Sequence, residues 1–169
     1  MRMIEKNAAM TASLYKKSAT ILTVIAITAV LSACSARGQR FDPKLLDAVG
    51  DNSAIVVYRA NQSLGRAYTA VILLDRKEMG RLSDGGWLGD AVTPGRHVID
   101  IDKWFLESGG QHPTVIDTLP GQAYFIRYDQ SAHAAGRAGG ASSTVVWDSF
   151  KVVPREQALQ ELESLRESK

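Results

Sequence analysis

The chain has 169 residues, of which 45% are hydrophobic and 22% charged, and its formal net charge is +2. This composition is typical of a folded globular domain, and it excludes collagen-like, low-complexity and wholly disordered chains. The single cysteine excludes an intrachain disulfide and a zinc site made of cysteines alone. The small net charge argues against a strongly basic nucleic-acid-binding protein.

A polar segment followed by an apolar run opens the chain. Residues 1–20 contain four basic residues and one acidic residue, and the apolar run Ile21–Ala33 follows with 13 residues. A helix that spans the hydrocarbon core of a membrane needs about 20 apolar residues, so this run is too short for a permanent span. Its length fits the ~7–15-residue core of a secretory signal. The sequence therefore predicts a signal peptide at residues 1–33, with Met10 as an alternative translation start.

The apolar run ends in Leu31-Ser32-Ala33-Cys34. This segment resembles the lipobox of bacterial lipoproteins, in which an aliphatic residue and two small residues precede a cysteine. The resemblance implies transfer of a diacylglyceryl group to the Cys34 thiol and cleavage after Ala33. Cys34 would then be the acylated N-terminal residue, with fatty acyl chains such as palmitate. A buried structural cysteine and an ordinary cleaved signal are the alternatives. Lipidation is preferred because the only cysteine stands at the end of the apolar run.

The residue after the cysteine bears on localisation. Ser35 occupies this position, where an Asp commonly retains Gram-negative lipoproteins at the inner membrane. The absence of Asp at this position favours a lipid-anchored protein of the cell envelope, at the periplasmic face of the outer membrane. Four of the 20 basic residues and one of the 18 acidic residues precede Cys34, so the remainder of the chain carries a formal charge of −1.

The 136 residues from Cys34 onward are enough for one self-sufficient core. Residues 34–52 are expected to hold the lipidated cysteine, a short tether at residues 35–40 and a brief helix. Asp42 suits the N-cap of that helix, Pro43 its first position and Gly50 its end. Residues 154–169 place Ala158, Leu159, Leu162 and Leu165 at helical spacing. They predict a C-terminal helix docked on a sheet, with a partner-binding helix as the alternative.

Short β-like runs separated by turn residues occupy residues 53–153. The runs are Ala54–Arg59, Thr69–Asp75, His97–Asp102, Thr114–Leu119, Ala123–Tyr128 and Thr144–Val153. No long helix separates them, so the pattern predicts an all-β fold, an antiparallel β-sandwich, rather than parallel βαβ units. The glycine-rich stretch Ala134–Ser143 is interpreted as a flexible loop between two of these strands.

Several turn and strand motifs in this region resemble a known family. They are Tyr58-Arg59, Asp75-Arg76-Lys77 with Gly80, Pro94-Gly95-Arg96-His97 and Gly121-Gln122-Ala123-Tyr124-Phe125. The pattern resembles a family of small bacterial lipoproteins that carry a domain of unknown function, and its middle part resembles the PEGA-type β-module of bacterial envelope proteins. The resemblance covers roughly residues 53–153. It implies a PEGA-like or transthyretin-like β-sandwich on a lipid anchor, and it implies no established catalytic residues.

The sequence also departs from that family pattern. Asp75-Arg76-Lys77 lacks the glycine that the family often places in this turn, which leaves the turn type open. Asp102–His112 and Ala134–Ser143 have no clear counterpart.

No known catalytic or metal-binding motif occurs in the chain. Phosphate-loop, nucleophile-elbow and zinc-protease patterns are all missing from the sequence. His97, His112 and His133 lack metal-ligand spacing, and Asp100 with Asp102 is interpreted as a solvated strand face. The sequence therefore predicts no catalytic residue, no metal and no cofactor.

Three aromatic residues are candidates for an interaction surface: Trp87, Trp104 and Phe105. Glycines flank Trp87, which predicts a mobile turn whose large ring caps the core or stacks on a ligand or partner. Trp104 and Phe105 lie near a loop. The predicted function is a lipid-anchored, non-enzymatic binding or structural module of the envelope. Its partners are the membrane, through the acyl chains on Cys34, and another envelope protein or a cell-wall polymer, with no nucleic acid. A periplasmic hydrolase with an unrecognised site is the alternative.

Overall fold

The structure is a computed structural model, and it describes residues 36–62, 68–102, 113–138 and 141–169. All of these residues belong to one compact unit, Cys34–Lys169. Within the described ranges the fold is mostly β, with two sheets, one α-helix and one 3₁₀-helix. This confirms the predicted all-β class at the level of a sandwich-like arrangement of two sheets.

Nine strands are present in the described part of the chain. They are β1 (Ser53–Arg59), β2 (Ala70–Leu74), β3 (Lys77–Leu82), β4 (Gly86–Val92), β5 (Gly95–Ile101), β6 (Thr114–Thr118), β7 (Ala123–Ala138), β8 (Ala141–Val153) and β9 (Arg166–Glu167). The larger sheet has the order β8-β7-β1-β4-β9, and the smaller sheet has the order β3-β2-β5-β6.

Strand β1 lies at the centre of the larger sheet and is buried along its whole length. Its side chains alternate between two apolar clusters. Ile55 and Val57 face the smaller sheet, whereas Val56 and Tyr58 face a second cluster that includes Leu46 and Leu162. Because both faces of the strand are covered, its middle part, Ala54–Tyr58, is an unbroken apolar run rather than an alternating one.

The second cluster is covered by the two helices. The 3₁₀-helix is Pro43–Val49, and the α-helix, α1, is Arg155–Leu162. The Asp42 carboxylate accepts a hydrogen bond from the Lys44 N–H at 3.0 Å, and Gly50 follows the last turn with a φ of 57°. The predicted cap, first residue and end of the short N-terminal helix are therefore present, but the helix is of the tighter 3₁₀ type.

Two strand pairs are parallel, which the predicted antiparallel sandwich did not include. β1 pairs with β7 in parallel and β4 pairs with β9 in parallel. The β1–β7 pair is possible without a βαβ unit because the smaller sheet supplies the long crossover that a parallel pair requires.

The prediction of a C-terminal helix through residue 169 is wrong beyond Leu162. The chain turns after α1, and Leu165 is buried in the second cluster. Arg166 and Glu167 then form β9 at the edge of the larger sheet. Pairing along this edge satisfies backbone groups of β4 that a continuing helix would leave without strand partners.

Two glycine-rich stretches are strands rather than loops. The segment around Trp87 forms β4, between β1 and β9, so the predicted mobile turn is wrong. The stretch Ala134–Ser143 falls largely within β7 and β8, so the predicted flexible loop is also wrong there. No helix in the described part of the chain is long and apolar enough to cross a membrane.

Candidate functional site

Most residues of the predicted sites lie outside the described part of the chain. Leu31, Ser32, Ala33 and Cys34 precede it, and Trp104 and Phe105 fall between residues 102 and 113. Lipidation at Cys34 and an aromatic patch at Trp104 and Phe105 therefore stay predictions.

Trp87 is a core residue. Its side chain is only 5% exposed, and its ring meets the Phe41 ring edge-on at a centroid distance of 5.3 Å. It belongs to the second cluster and lines a cavity of about 340 Å³ beside the 3₁₀-helix. The core-capping interpretation of Trp87 agrees with this position, and its burial leaves little of the ring for a partner at the surface.

Residues 36–40, here called the N-terminal strap, are fastened to the sheet. The Ala36 N–H donates to the Asp84 carbonyl at 3.3 Å, and the Gly38 N–H donates to the Glu167 carbonyl at 3.0 Å. The Glu167 N–H donates back to the Gln39 carbonyl at 2.7 Å. The tether predicted at residues 35–40 is therefore wrong for the strap, which pairs with β9 instead of hanging free.

Two glycines permit this close approach of the strap, β9 and β4. A Cβ on Gly38 would lie 2.6 Å from both the Cβ and the carbonyl oxygen of Glu167. A Cβ on Gly86 would overlap the Ser168 hydroxyl and lie 2.9 Å from the Ser83 carbonyl oxygen. Any larger residue at either position must push the paired backbone apart.

A polar groove opens beside the strap, and we call it the anchor-proximal groove. Its volume is about 500 Å³. It is lined by three basic residues, Arg37, Arg81 and Lys169, together with Ser83, Ser168 and Glu167. The basic residues come from the strap, β3 and the segment after β9, so folding rather than sequence proximity brings them together.

A buried polar network occupies one end of the interior between the sheets. Arg59, at the end of β1, is fully buried, and so is Asp84, whose carboxylate lies 3.9 Å from the Arg59 Nε. The guanidinium donates to the Tyr68 carbonyl at 2.7 Å and to the Gln130 side chain at 3.0 Å. It also lies 5.6 Å from the centroid of the Tyr128 ring. A charge buried to this degree requires such partners.

The network continues into β8 through Asp148. Its Oδ1 accepts hydrogen bonds from the Tyr128 hydroxyl at 2.6 Å and from the Gln130 amide at 2.9 Å. Burial, followed by the hydrogen bond to Asp148, raises the pKa of Tyr128, so this phenol stays protonated as a donor. The contacts lock β7 to β8 at the point where both strands leave the rest of the sheet.

A second set of polar contacts ties α1 to the outer face of β7. Glu161 accepts from the Tyr58 hydroxyl at 2.7 Å and from Arg127 at 3.0 Å. Burial and then the bond to Glu161 raise the pKa of Tyr58. Arg127 also pairs with Asp129 at 2.9 Å. These side chains provide hydrogen-bond and ion-pair partners for one another, which indicates that their role is structural.

Residues 128–138 of β7 and 141–150 of β8 form what we call the hairpin arm. The arm extends past the pairing of β1 with β7, which ends at Tyr58 and Arg127. Trp147 is 45% exposed and Val146 41% exposed, and the Trp147 ring contacts His133 edge-on at 6.0 Å. β8 is also the edge strand of the larger sheet. An exposed aromatic residue on an edge strand is a surface suited to binding another protein.

His97 forms the other conspicuous ionisable cluster. Its Nδ1 lies 2.7 Å from the Asp75 carboxylate and its Nε2 lies 2.7 Å from the Thr93 carbonyl. Because both ring nitrogens face acceptors, neither is left to act on a substrate. His97 lines neither of the two cavities described above, and no group of three metal-ligating side chains occurs among the described residues.

The comparisons with known proteins return no relatives. No protein-family model matches the chain, no curated protein matches it, and no solved structure matches it.

Two features of the site were missed by sequence reasoning. Arg59 carries a signal that could have revealed it, because it continues the inward-facing positions Ile55 and Val57 of β1. A charged residue at such a position predicts a buried polar network. Trp147 was missed because the alternation of β8 does not show that the strand extends beyond its sheet.

Proposed function

We propose that the protein is a lipid-anchored lipoprotein of the bacterial envelope and acts as a non-enzymatic binding module. The observation that carries the anchor is Leu31-Ser32-Ala33-Cys34 at the end of a 13-residue apolar run. The hydrogen bonding of the strap supports it, since Ala36, two residues after Cys34, is bonded to the Asp84 carbonyl of the folded domain. Acylation at Cys34 then places the domain directly against the membrane surface.

Metabolic labelling with a fatty acid tests the anchor. We expect the wild-type protein to be labelled, Cys34→Ala to be unlabelled and the neighbouring control Ser35→Ala to be labelled. Equal labelling of the wild type and Cys34→Ala would overturn the anchor.

The binding role that we propose resides in the hairpin arm. Among the described residues β8 is the edge strand of the larger sheet and exposes Val146 and Trp147. Hydrogen bonds that join Arg59 and Asp148 to Gln130 fasten the base of the arm. An extended segment of another envelope protein would add a strand to this edge and cover the Trp147 ring. Trp is a residue type that contributes strongly to such contacts.

Site-specific photocrosslinking in intact envelopes tests the arm. A photoreactive residue at position 147 is expected to give a discrete protein adduct. The control is the same residue at position 115 in the smaller sheet, where the native Val115 is 52% exposed, and it should give no such adduct. Adducts of the same pattern from both positions, or none from position 147, would refute this binding surface.

We also propose that the two sheets belong to a PEGA-like or transthyretin-like sandwich. The motif residues support this because they occupy turn positions: Gly95 and Gly121 have φ values of 149° and 68° at the turns that begin β5 and precede β7. Their role as turn residues is what the resemblance implies.

A further inference from the structure

The cavity beside the 3₁₀-helix is lined by a residue whose buried donor has no partner. Trp87 lines this cavity, which has a volume of about 340 Å³. Its side chain is 5% exposed, and its indole Nε1–H has no hydrogen-bond partner within the described part of the chain. A buried indole N–H usually has an acceptor, because burying a polar group without one is unfavourable. The unpaired donor therefore indicates a ligand that supplies the acceptor.

Small residues of β4 leave the space for such a ligand. Trp87, Gly89 and Ala91 alternate along β4 and share one face of the sheet, where Gly89 is registered with Val56 and Ala91 with Ala54. A Cβ on Gly89 would meet only the Trp87 ring, at 3.3 Å, and the φ angle of Gly89 is not one of the positive values that favour glycine. A strand glycine that the backbone does not require is typical of a site where a ligand approaches closely.

The cavity suits a short hydrocarbon chain that enters from solvent. On one side Leu45 of the 3₁₀-helix is 51% exposed, and on the other Gly89 and Ala91 are exposed. Aliphatic side chains, among them Leu46 and Val56, form much of the lining. The volume is at the lower end of the range of about 300–1,000 Å³ that is usual for ligand pockets, which favours a ligand with one chain over a lipid with two.

The charges around the cavity favour a neutral ligand. Its described lining includes two acidic residues, Asp90 and Glu167, and no basic residue. Glu167 is registered with Trp87 in the pairing of β4 with β9, so its side chain lies on the same face as the indole. An anionic acceptor at Trp87 Nε1 would be buried without a cation, which is unfavourable. A neutral carbonyl provides the acceptor without burying a charge.

We propose that this cavity binds a neutral single-chain acyl ester. The chain packs against the apolar lining, and the ester carbonyl accepts a hydrogen bond from Trp87 Nε1. The site depends on neither the lipid anchor nor the hairpin arm, so it goes beyond the binding role proposed above.

NMR spectroscopy of the full chain labelled with ¹⁵N-tryptophan tests the proposal, with methyl octanoate as the probe. The chain has three tryptophans, so Trp104→Phe and Trp147→Phe identify the Trp87 indole resonance by elimination. We expect the Trp87 Nε1–H resonance to move downfield and to saturate as the ester is added, because a hydrogen bond to a carbonyl deshields the proton. Octanoate, which is ionised at about pH 7.5, should bind at least about tenfold more weakly. No saturable shift with the ester, or equally tight binding of octanoate, overturns the proposal.

Two variants that each gain an aromatic ring locate the ligand. Ala91→Phe places the ring at the exposed side of the cavity and should abolish the shift caused by the ester. Val115→Phe places it at a position of the smaller sheet that is 52% exposed and does not line the cavity, and it should retain the shift. The apolar run at residues 21–33 is the same in both variants, so ester bound there produces no difference between them. The same shift in both variants overturns the site. Far-ultraviolet circular dichroism confirms that each variant is folded.

A third variant tests the indole donor. Trp87→Phe keeps a ring and removes the N–H, and the backbone amide resonance of Gly89 then reports binding in uniformly ¹⁵N-labelled protein. We expect the affinity for methyl octanoate to fall about 2–10-fold, the effect of one lost hydrogen bond. An unchanged affinity would show that the ester does not use the indole, which contradicts the proposed binding mode. A Trp87 resonance that moves with protein concentration in the absence of ester would mean that a second copy of the chain occupies the cavity, and it too would overturn the proposal.

Discussion

Asp75 and Arg76 form the tight turn between β2 and β3 with φ values of 51° and 68°. Two successive positive φ angles in a two-residue hairpin define a type I′ turn, which settles the turn type that the sequence left open. Asp tolerates this conformation, and its carboxylate is used by His97 and the Val98 N–H. Within the described part of the chain, no contact of the Arg76 side chain offsets the steric penalty of its positive φ in the way that the Asp75 contacts do.

Replacing Arg76 by Gly should therefore stabilise the protein. Glycine adopts positive φ without the steric penalty that an L side chain meets, so we expect the free energy of unfolding to rise by about 1 kcal/mol. Urea unfolding measures the change. The neighbouring substitution Lys77→Gly, in β3, is the control and should destabilise; a lower unfolding midpoint for Arg76→Gly would contradict the turn assignment.

His97 and Asp75 form a pH-dependent contact. Burial lowers the pKa of His97, but its hydrogen bonds to Asp75 and Thr93 raise it more, so the pKa in the folded protein lies above 6.5. Burial likewise raises the pKa of Asp75, and the bonds from Val98 and His97 outweigh it, so that pKa lies below 3.8. The pair contributes most to stability at pH values between the folded pKa of Asp75 and that of His97. The contribution of charged His97 is lost as pH rises through the folded pKa of His97. The contribution of the Asp75 carboxylate is lost as pH falls through the folded pKa of Asp75.

The variant His97→Gln should consequently lower the free energy of unfolding more at about pH 5 than at about pH 9. Chemical denaturation at the two pH values measures this difference. In an Asp75→Asn background the effect of His97→Gln should no longer depend on pH in this way. The same loss at both pH values in the Asp75 parent would mean that His97 is not charged in the fold.

At the scale of elements, the strap, β9 and β4 depend on small residues where they meet. Gly86→Ala would force a Cβ against Ser168 and the Ser83 carbonyl. We expect it to destabilise by about 1–3 kcal/mol and to expose the amides of Gly38 and Glu167 to hydrogen exchange. Gly89→Ala in the same strand is the matched control, since its nearest neighbour is the Trp87 ring at 3.3 Å. Equal effects of the two substitutions would argue against a docked strap.

The base of the hairpin arm rests on a buried charge pair. Arg59→Met leaves the Asp84 carboxylate buried without its cation and should destabilise by about 3–5 kcal/mol. The double variant Arg59→Met/Asp84→Asn removes both charges, so its loss should be smaller than that of Arg59→Met alone. Thermal unfolding compares the two. A loss in the double variant as large as or larger than that of Arg59→Met would show that Arg59 and Asp84 act independently.

Much of the fold was predictable from the strand pattern, because the six predicted runs correspond to β1, β2, β5, β6, β7 and β8. β4 was not, since Gly86 and Gly89 are typical of turns. Its position as a strand depends on pairing along its whole length with β1, a contact between distant parts of the chain. The end of α1 was also unpredictable: Leu165 fits helical spacing equally well, and only the pairing of β9 with β4 decides against a longer helix.

At the scale of the whole molecule, the described residues divide between a domain body and an arm. The anchor-proximal groove lies where the strap meets β9, near the proposed anchor. The arm presents Trp147 on the edge strand β8, at the opposite side of the strand order from β9. The strap, which follows the proposed anchor, and the proposed protein-binding edge therefore lie at opposite edges of the larger sheet.

The candidate site, like the fold, could be predicted from the sequence only in part. The proposed lipobox can be recognised in the sequence because it consists of four adjacent residues. The groove is not, because Arg37, Arg81 and Lys169 are far apart in the chain and meet through the pairing of the strap with β9 and the backbone hydrogen bond from Arg81 to Lys169.

Mass spectrometry of the protein extracted from membranes tests the lipid anchor most directly. We expect an N-terminal peptide that begins at Cys34 and carries the mass of a diacylglyceryl group and its acyl chains. An N-terminal peptide that begins at another residue, or an unmodified Cys34, would contradict it.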